Sequence, residues 1–185
     1  MELPNKKYNI IYADPPWKYE NPFGTFHGRH GDVNPTEKYY SVMELKDIKN
    51  IKIPATKNAW LIMWVTSIHL PCALEVMKEW GFEYRTCAIW DKKELGLGWF
   101  FRLQHEILLI GKKGNPSTPK IRVRSIFSEK RTIHSRKPIC VRSWINKAFP
   151  TETKIELFAR QKIEGWDAWG NEIPKEEQRL LNGKP

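Results

Sequence analysis

The sequence has no apolar stretch approaching the roughly twenty residues that a membrane-spanning helix requires, so no membrane association is expected. Cysteine is scarce: Cys72, Cys87 and Cys140 are three in number and far apart, with no Cys-x-x-Cys pair and no Cys/His cluster. That spacing offers no zinc site, and a reduced intracellular protein is the simplest expectation. Charged residues at the N-terminus run straight into a strand-like segment, so no secretory signal is expected and the protein is read as soluble and cytoplasmic. No Gly-x-Gly-x-x-Gly follows the first strand, which removes the usual dinucleotide fingerprint. Repeats and internal linkers are missing too. Acidic residues are outnumbered, 21 against 31 Lys and Arg, for a net charge of +10 and a pI near 9.5. Such a balance favours a polyanionic partner.

Tryptophan, by contrast, is abundant, with nine in 185 residues. A basic chain with aromatics to spare has what base stacking needs. The length suits one domain, expected over 1–173, followed by a charged tail over 174–185.

Segments that read as strands and helices alternate. Tyr8–Asp14, Ala59–Val65, Tyr84–Trp90, Glu106–Lys112 and Lys154–Ala159 read as strands. The fourth is placed to form a hairpin with the third. Helices are expected over Ser41–Asn50, where Ser41 and Glu44 have capping-box spacing, over Pro71–Trp80 before Gly81, and over Pro138–Phe149. Continuous apolar strands separated by helices predict a doubly wound, mostly parallel α/β sheet. Two long irregular stretches interrupt it, Lys18 to about Lys38 and Gly114 to about Lys137.

Asp14-Pro15-Pro16-Trp17 stands at the carboxyl end of the first strand, the edge where open α/β sheets bind ligands. These residue types suit the gripping of an exocyclic amine on a planar base. Asp14 and the carbonyls around Pro15 accept N–H bonds, the prolines carry no competing donor, and Trp17 offers a stacking face. The same four residues also fit a Pro-Pro turn with a core tryptophan. Residues 112–142 hold ten basic side chains against one acid, Glu129, which carries +9 of the net charge. Lys120, Arg122, Arg124, Lys130 and Arg131 are therefore candidate phosphate contacts, with a solvated basic loop as the alternative. His27, Arg29 and His30, in the first irregular stretch, join them as candidates. Without a third ligand the two histidines make no metal site.

Taken together, these segments resemble the mRNA-adenosine-methyltransferase (MT-A seventy) family, whose hallmark is the Asp-Pro-Pro-Trp motif. The resemblance rests on four blocks in order: Ala13–Trp17; Trp60–Thr66; Glu79–Phe82 through Ile89-Trp90 and His105-Glu106 to Pro116; and Ser135–Pro138 with Lys154–Arg160 and Gly165–Glu172. It implies a Rossmann-like S-adenosylmethionine-dependent methyltransferase fold in which the catalytic strand precedes the cofactor-binding strand. Asp14, Pro15, Pro16 and Trp17 would be catalytic. Carried over by position, Lys137 would meet the methionine carboxylate of the cofactor, and Asp14 would lie between its amino-acid end and the target amine. The Leu157–Phe158 backbone would line the methionine, while Arg160 and Asn171 would hold the ribose and adenine. The chain looks like a bacterial or phage form acting on adenine N6 in DNA, located in the cytoplasm of the cell or infected host. RNA is the alternative substrate, and a catalytically silent nucleic-acid-binding subunit is the alternative role. A homodimer or a related subunit stays open as a partner.

Overall fold

A computed structural model describes residues 3–18, 42–96, 100–130 and 137–173. Among these, seven strands form one sheet in the order β5-β3-β4-β2-β1-β6-β7. The strands are β1 Tyr8–Ala13, β2 Ala55–Val65, β3 Glu83–Asp91, β4 His105–Lys113, β5 Ile126–Ser128, β6 Lys154–Leu157 and β7 Asp167–Trp169. The helices are α1 Leu45–Lys49, α2 Leu70–Glu79 and α3 Ile139–Ala148.

The central strands are buried on both faces, which is why they read as continuous apolar runs. Tyr8, Ile11 and Ala13 of β1 join Leu61, Met63, Ile155 and Leu157 on one face, under Ile48 of α1 and Ala73, Val76 and Met77 of α2. Ile10 and Tyr12 point the other way, with Ile62, Trp64 and Leu108, and pack beneath Val141 and Ile145 of α3. From Ile10 onward two-residue alternation sorts the strand into two cores, and a register irregularity between Tyr8 and Ile10 puts Tyr8 on the first face. Each fully buried aliphatic side chain stabilises the fold by about 1.5–3 kcal/mol relative to exposure. Helices on both faces give the doubly wound architecture that the alternation predicts. The expected hairpin forms as the antiparallel β3–β4 pair, and β2 pairs antiparallel with β4. The pairings β1–β2, β1–β6, β3–β5 and β6–β7 are parallel.

Several boundaries differ from expectation. The helix expected over Ser41–Asn50 shortens to Leu45–Lys49. Glu44 takes the N-cap position without a side-chain cap, its carboxylate instead pairing with Lys18. Ser41 lies outside the described residues. The last apolar run stops being a strand at Leu157 rather than Ala159, because Phe158 adopts a left-handed backbone with φ +60°. β5 emerges inside the stretch read as irregular, and β7 was not anticipated. Both are three residues long, too short for a periodic signal. The tail 174–185 lies outside the described residues.

Register places the site. Ala13 of β1 faces Met63 of β2 and Leu157 of β6, while Val65 faces Ile107 and Trp90 faces Glu106. The carboxyl ends of β1, β2, β3, β6 and β7 and the start of β4 consequently share one edge. No described helix is long and apolar enough to cross a membrane.

Candidate active site

Asp14 leaves β1 at that edge and is followed at once by the two prolines. The Pro15 carbonyl accepts the Trp17 N–H at 2.9 Å, closing a tight turn, and the Pro16 carbonyl accepts the Met43 N–H at 3.0 Å. Trp17 donates its indole N–H to the Trp64 carbonyl at 3.3 Å and stacks on His69, with centroids 6.0 Å apart and planes 16° from parallel. His69 contacts Thr66 Oγ1 through Nδ1 at 2.8 Å and the Lys18 carbonyl through Nε2 at 3.2 Å. A carbonyl only accepts, so Nε2 carries the proton and Nδ1 accepts from Thr66. Burial lowers the His69 pKa and keeps the ring neutral. The tryptophan of the motif is therefore held from two sides, on one face by the neutral imidazole and at its edge by β2.

Lys137 organises the charge. Its ammonium lies 2.9 Å from Asp14 Oδ1 and 3.1 Å from Glu106 Oε2, and Lys92 approaches the other Glu106 oxygen at 3.5 Å. The ammonium also lies 5.6 Å from the Trp64 ring centre. Side-chain exposures of 12% for Lys137, 22% for Asp14 and 15% for Glu106 put this group well out of bulk water, where charge–charge interactions are strong. Burial raises the Asp14 pKa and Glu106 adds to the rise, while Lys137 pulls against both. Glu106 is likewise penalised by burial, but Lys137 and Lys92 outweigh that and hold its carboxyl below the usual range. Burial opposes the Lys137 charge too, yet its two carboxylate partners keep it firmly protonated. Asp14 Oδ2 has no partner among the described residues.

Beneath this cluster lies a second one. Trp64 donates its indole N–H to the Tyr12 hydroxyl at 2.5 Å, and the Arg142 guanidinium sits 5.5 Å from the Tyr12 ring centre. Arg142 forms a bidentate pair with Glu156 at 2.9 and 2.5 Å. Glu156 is 6% exposed, so this strand carboxylate is neither solvent-facing nor free; it fastens α3 to β6.

Four of the residues expected to hold a cofactor, Leu157, Phe158, Arg160 and Asn171, lie at the ends of β6 and β7, while Asp14 and Lys137 belong to the charge cluster. Leu157 is buried, and the left-handed Phe158 sets its ring edge-on to Trp169 at 5.4 Å. The Ala159 N–H reaches the Trp169 carbonyl at 2.9 Å. Gly170 approaches so closely that a Cβ there would fall 2.2 Å from the Ala159 carbonyl oxygen and 2.5 Å from its nitrogen. Arg160 pairs with Glu172 at 3.3 Å, and Asn171 is exposed beside it. Arg160 is near enough to Asp14 for its charge to help lower the Asp14 pKa.

The basic candidates are not brought together in this way. Lys120, Arg122, Arg124 and Lys130 are all exposed. The Lys120 N–H bonds the Ala148 carbonyl in the last turn of α3, toward the amino end of β6. From there the chain climbs past Arg122 and Arg124 into β5. Lys130 follows the carboxyl end of β5, on the edge that carries Asp14. His27, Arg29, His30 and Arg131 lie outside the described residues. Among the described residues no cluster suited to a metal ion occurs.

Glu106, Lys92, Trp64 and His69 are site components that sequence reasoning did not single out. The His105-Glu106 pair fell within a matched block, but nothing local marks Glu106 as a partner of Lys137.

The model of the MT-A70 family matches residues 8–172. The chain is 37% identical to the Type II methyltransferase M.MunI of a Mycoplasma species, over 94% of this chain and 81% of that protein. It is 29% identical to a putative N(6)-adenosine-methyltransferase MT-A70-like protein of Medicago truncatula, over 90% of this chain and 26% of the other. Identity to the human N(6)-adenosine-methyltransferase catalytic subunit METTL3 is 26%, over 90% of this chain and 28% of that protein. The chain therefore spans most of the Mycoplasma relative and about a quarter of these two eukaryotic ones. With the family's Asp-Pro-Pro-Trp motif standing at the ligand-binding edge of a doubly wound sheet, this chain belongs to the MT-A70 family of adenine-N6 methyltransferases.

Proposed function

We propose that residues 1–173 form a single domain that methylates adenine N6 in DNA with S-adenosylmethionine as donor. The carrying observation is the Asp14–Lys137–Glu106 cluster at the carboxyl edge, with one Asp14 oxygen engaged by Lys137 and the other without a partner among the described residues.

The donor set fits the cofactor. Its amino-acid end carries an ammonium and a carboxylate, and the edge offers the Asp14 and Glu106 carboxylates beside the Lys137 and Arg160 cations. The turn from Leu157 to Arg160 and the segment from Gly170 to Glu172 are suited to its methionine, ribose and adenine, with Asn171 among the polar contacts. When bound, the cofactor supplies an electrophilic sulfonium methyl.

The residues of the chain do the positioning. Adenine N6 is a weak nucleophile because its lone pair is delocalised into the ring. Asp14 Oδ2 accepts one amine N–H, and the Pro15 carbonyl accepts the other through the lone pair that Trp17 leaves free. A nitrogen held by both hydrogens becomes more tetrahedral and presents its lone pair. Holding reactants in such geometry is worth several orders of magnitude in rate. Lys137 keeps Asp14 ionised for this purpose, and Asp14 stands ready to receive a proton from the methylated nitrogen. The Trp17 face turned away from His69 is the one on which the base stacks.

DNA is favoured over RNA because the Mycoplasma relative, 37% identical and covered over 81% of its length, is named a Type II methyltransferase. The test is methyl transfer from labelled cofactor to duplex DNA, single-stranded DNA and RNA, with nucleoside analysis of each product. N6-methyladenine in DNA is expected. Transfer to RNA alone would overturn the substrate assignment, and cofactor binding without transfer would indicate a silent subunit.

A further inference from the structure

The connection between β3 and β4 carries, among its described residues, two exposed aromatics that the site just described does not use. Phe100 and Phe101 are 89% and 73% exposed and meet edge to face, with centroids 4.8 Å apart. Leu95, on the other arm of the loop, is 68% exposed. Apolar surface is driven out of water in proportion to its area, so two adjacent exposed rings favour burial against a partner.

The stem below them is firmly braced. Asp91, the last residue of β3, accepts from Gln104 at 2.7 Å, Ser128 at 3.1 Å and the Lys93 N–H at 3.0 Å, and pairs with the Lys93 ammonium at 2.8 Å. These contacts tie both arms of the loop to β5. The Lys92 N–H reaches the Gln104 carbonyl at 2.9 Å, and its side chain pairs with Glu106. Glu106 in turn holds Lys137, which holds Asp14. Phe100 and Phe101 thus stand on a stem linked to Asp14 through three ion pairs, Lys92–Glu106, Glu106–Lys137 and Lys137–Asp14.

We propose that Phe100 and Phe101 form an apolar wedge that enters the base stack of duplex DNA beside the target adenine. The proposal rests on the DNA reading above. Adenine N6 is inaccessible in a stacked pair, and extruding the base costs a few kcal/mol. Apolar side chains inserted at a base step offset that cost in other proteins that deform DNA. The composition of the loop suits a duplex, because residues 92–104 hold Lys92, Lys93 and Arg102 against one acid, Glu94. A protein partner is disfavoured by size. Two phenylalanines bury at most about 150–250 Å² each, against about 800 Å² per partner in a standard interface.

The test compares the full chain with its Phe100→Ala/Phe101→Ala variant on three DNAs: matched duplex, duplex with the target adenine opposite an abasic site, and single strand. Both side chains are exposed, so the variant keeps the wild-type melting temperature. Transfer to matched duplex should fall about tenfold or more, while transfer to the other two stays within about twofold, because there the base is already free of its partner. With 2-aminopurine at the target position, the fluorescence rise on wild-type binding should be lost in the variant. Undiminished transfer to matched duplex, equal loss on all three DNAs, or a change in the mass of the protein in solution would overturn the wedge alone. Wild-type transfer to RNA but to none of the DNAs would overturn the DNA reading and the wedge with it.

Discussion

Lys137 and Asp14 meet at 2.9 Å, joining the segment before α3 to the end of β1 through one half-buried ion pair. The same ammonium holds Glu106 at 3.1 Å, so two carboxylates that would otherwise repel share one cation. Lys137→Met should leave both facing each other in a poorly solvated site. A destabilisation of about 2 kcal/mol is expected by thermal unfolding, with recovery when Glu106→Gln is added. Equal stability of Lys137→Met and the parent would show that the cluster contributes no net coupling.

Asp14→Ala should reduce methyl transfer by at least about a hundredfold, because the amine loses the acceptor that orients it. The protein should remain folded, since the substitution removes a carboxylate that burial already disfavours. Activity near wild type in a single-turnover assay would refute the assignment.

Transfer needs ionised Asp14, whose pKa is raised by burial above its ordinary 3.8. The acid limb of kcat/KM should accordingly fall at a pH above the usual aspartate range, and Lys137→Met should move it higher still. For stability the signs are opposed. The raised Asp14 contributes stability below its ordinary pKa that is lost as pH rises through the folded value. The lowered Glu106 contributes stability above its ordinary pKa that is lost as pH falls through its folded value. A limb that moves to lower pH in Lys137→Met would contradict the charge arrangement.

Gly170→Ala should disrupt the turn expected to hold the cofactor. Its Cβ would lie 2.2 Å from the Ala159 carbonyl oxygen, and backbone must move to admit it. A loss of about 1–3 kcal/mol and weaker cofactor binding by calorimetry are expected. Unchanged melting and affinity would mean that β6 and β7 separate more readily than their contacts indicate.

Arg122 and Arg124 are exposed on the approach to β5. If both contact phosphate, Arg122→Gln/Arg124→Gln should reduce the slope of log affinity against log salt by about two. An unaltered slope would place the DNA elsewhere on the surface.

The strands β1 to β4 and β6 and the two longer helices were legible in the sequence, because each rests on a local signal. Apolar runs announce buried strands, Pro71 and Gly81 bound a helix, and the apolar run of β1 puts Asp14-Pro15-Pro16-Trp17 at its carboxyl end. Lys137, Arg160 and Asn171 were reachable only through family resemblance, since an isolated lysine or arginine has no local mark of its role. Tertiary structure alone decided the rest. Glu106 becomes part of the site because antiparallel pairing brings the start of β4 to the carboxyl edge of β1, and Glu156 becomes a fastener because α3 sets Arg142 above it. Three-residue strands and the left-handed Phe158 escaped notice because pairing partners and backbone crowding, not composition, create them. Sequence determines which groups are available; non-local contacts decide which of them share a charge.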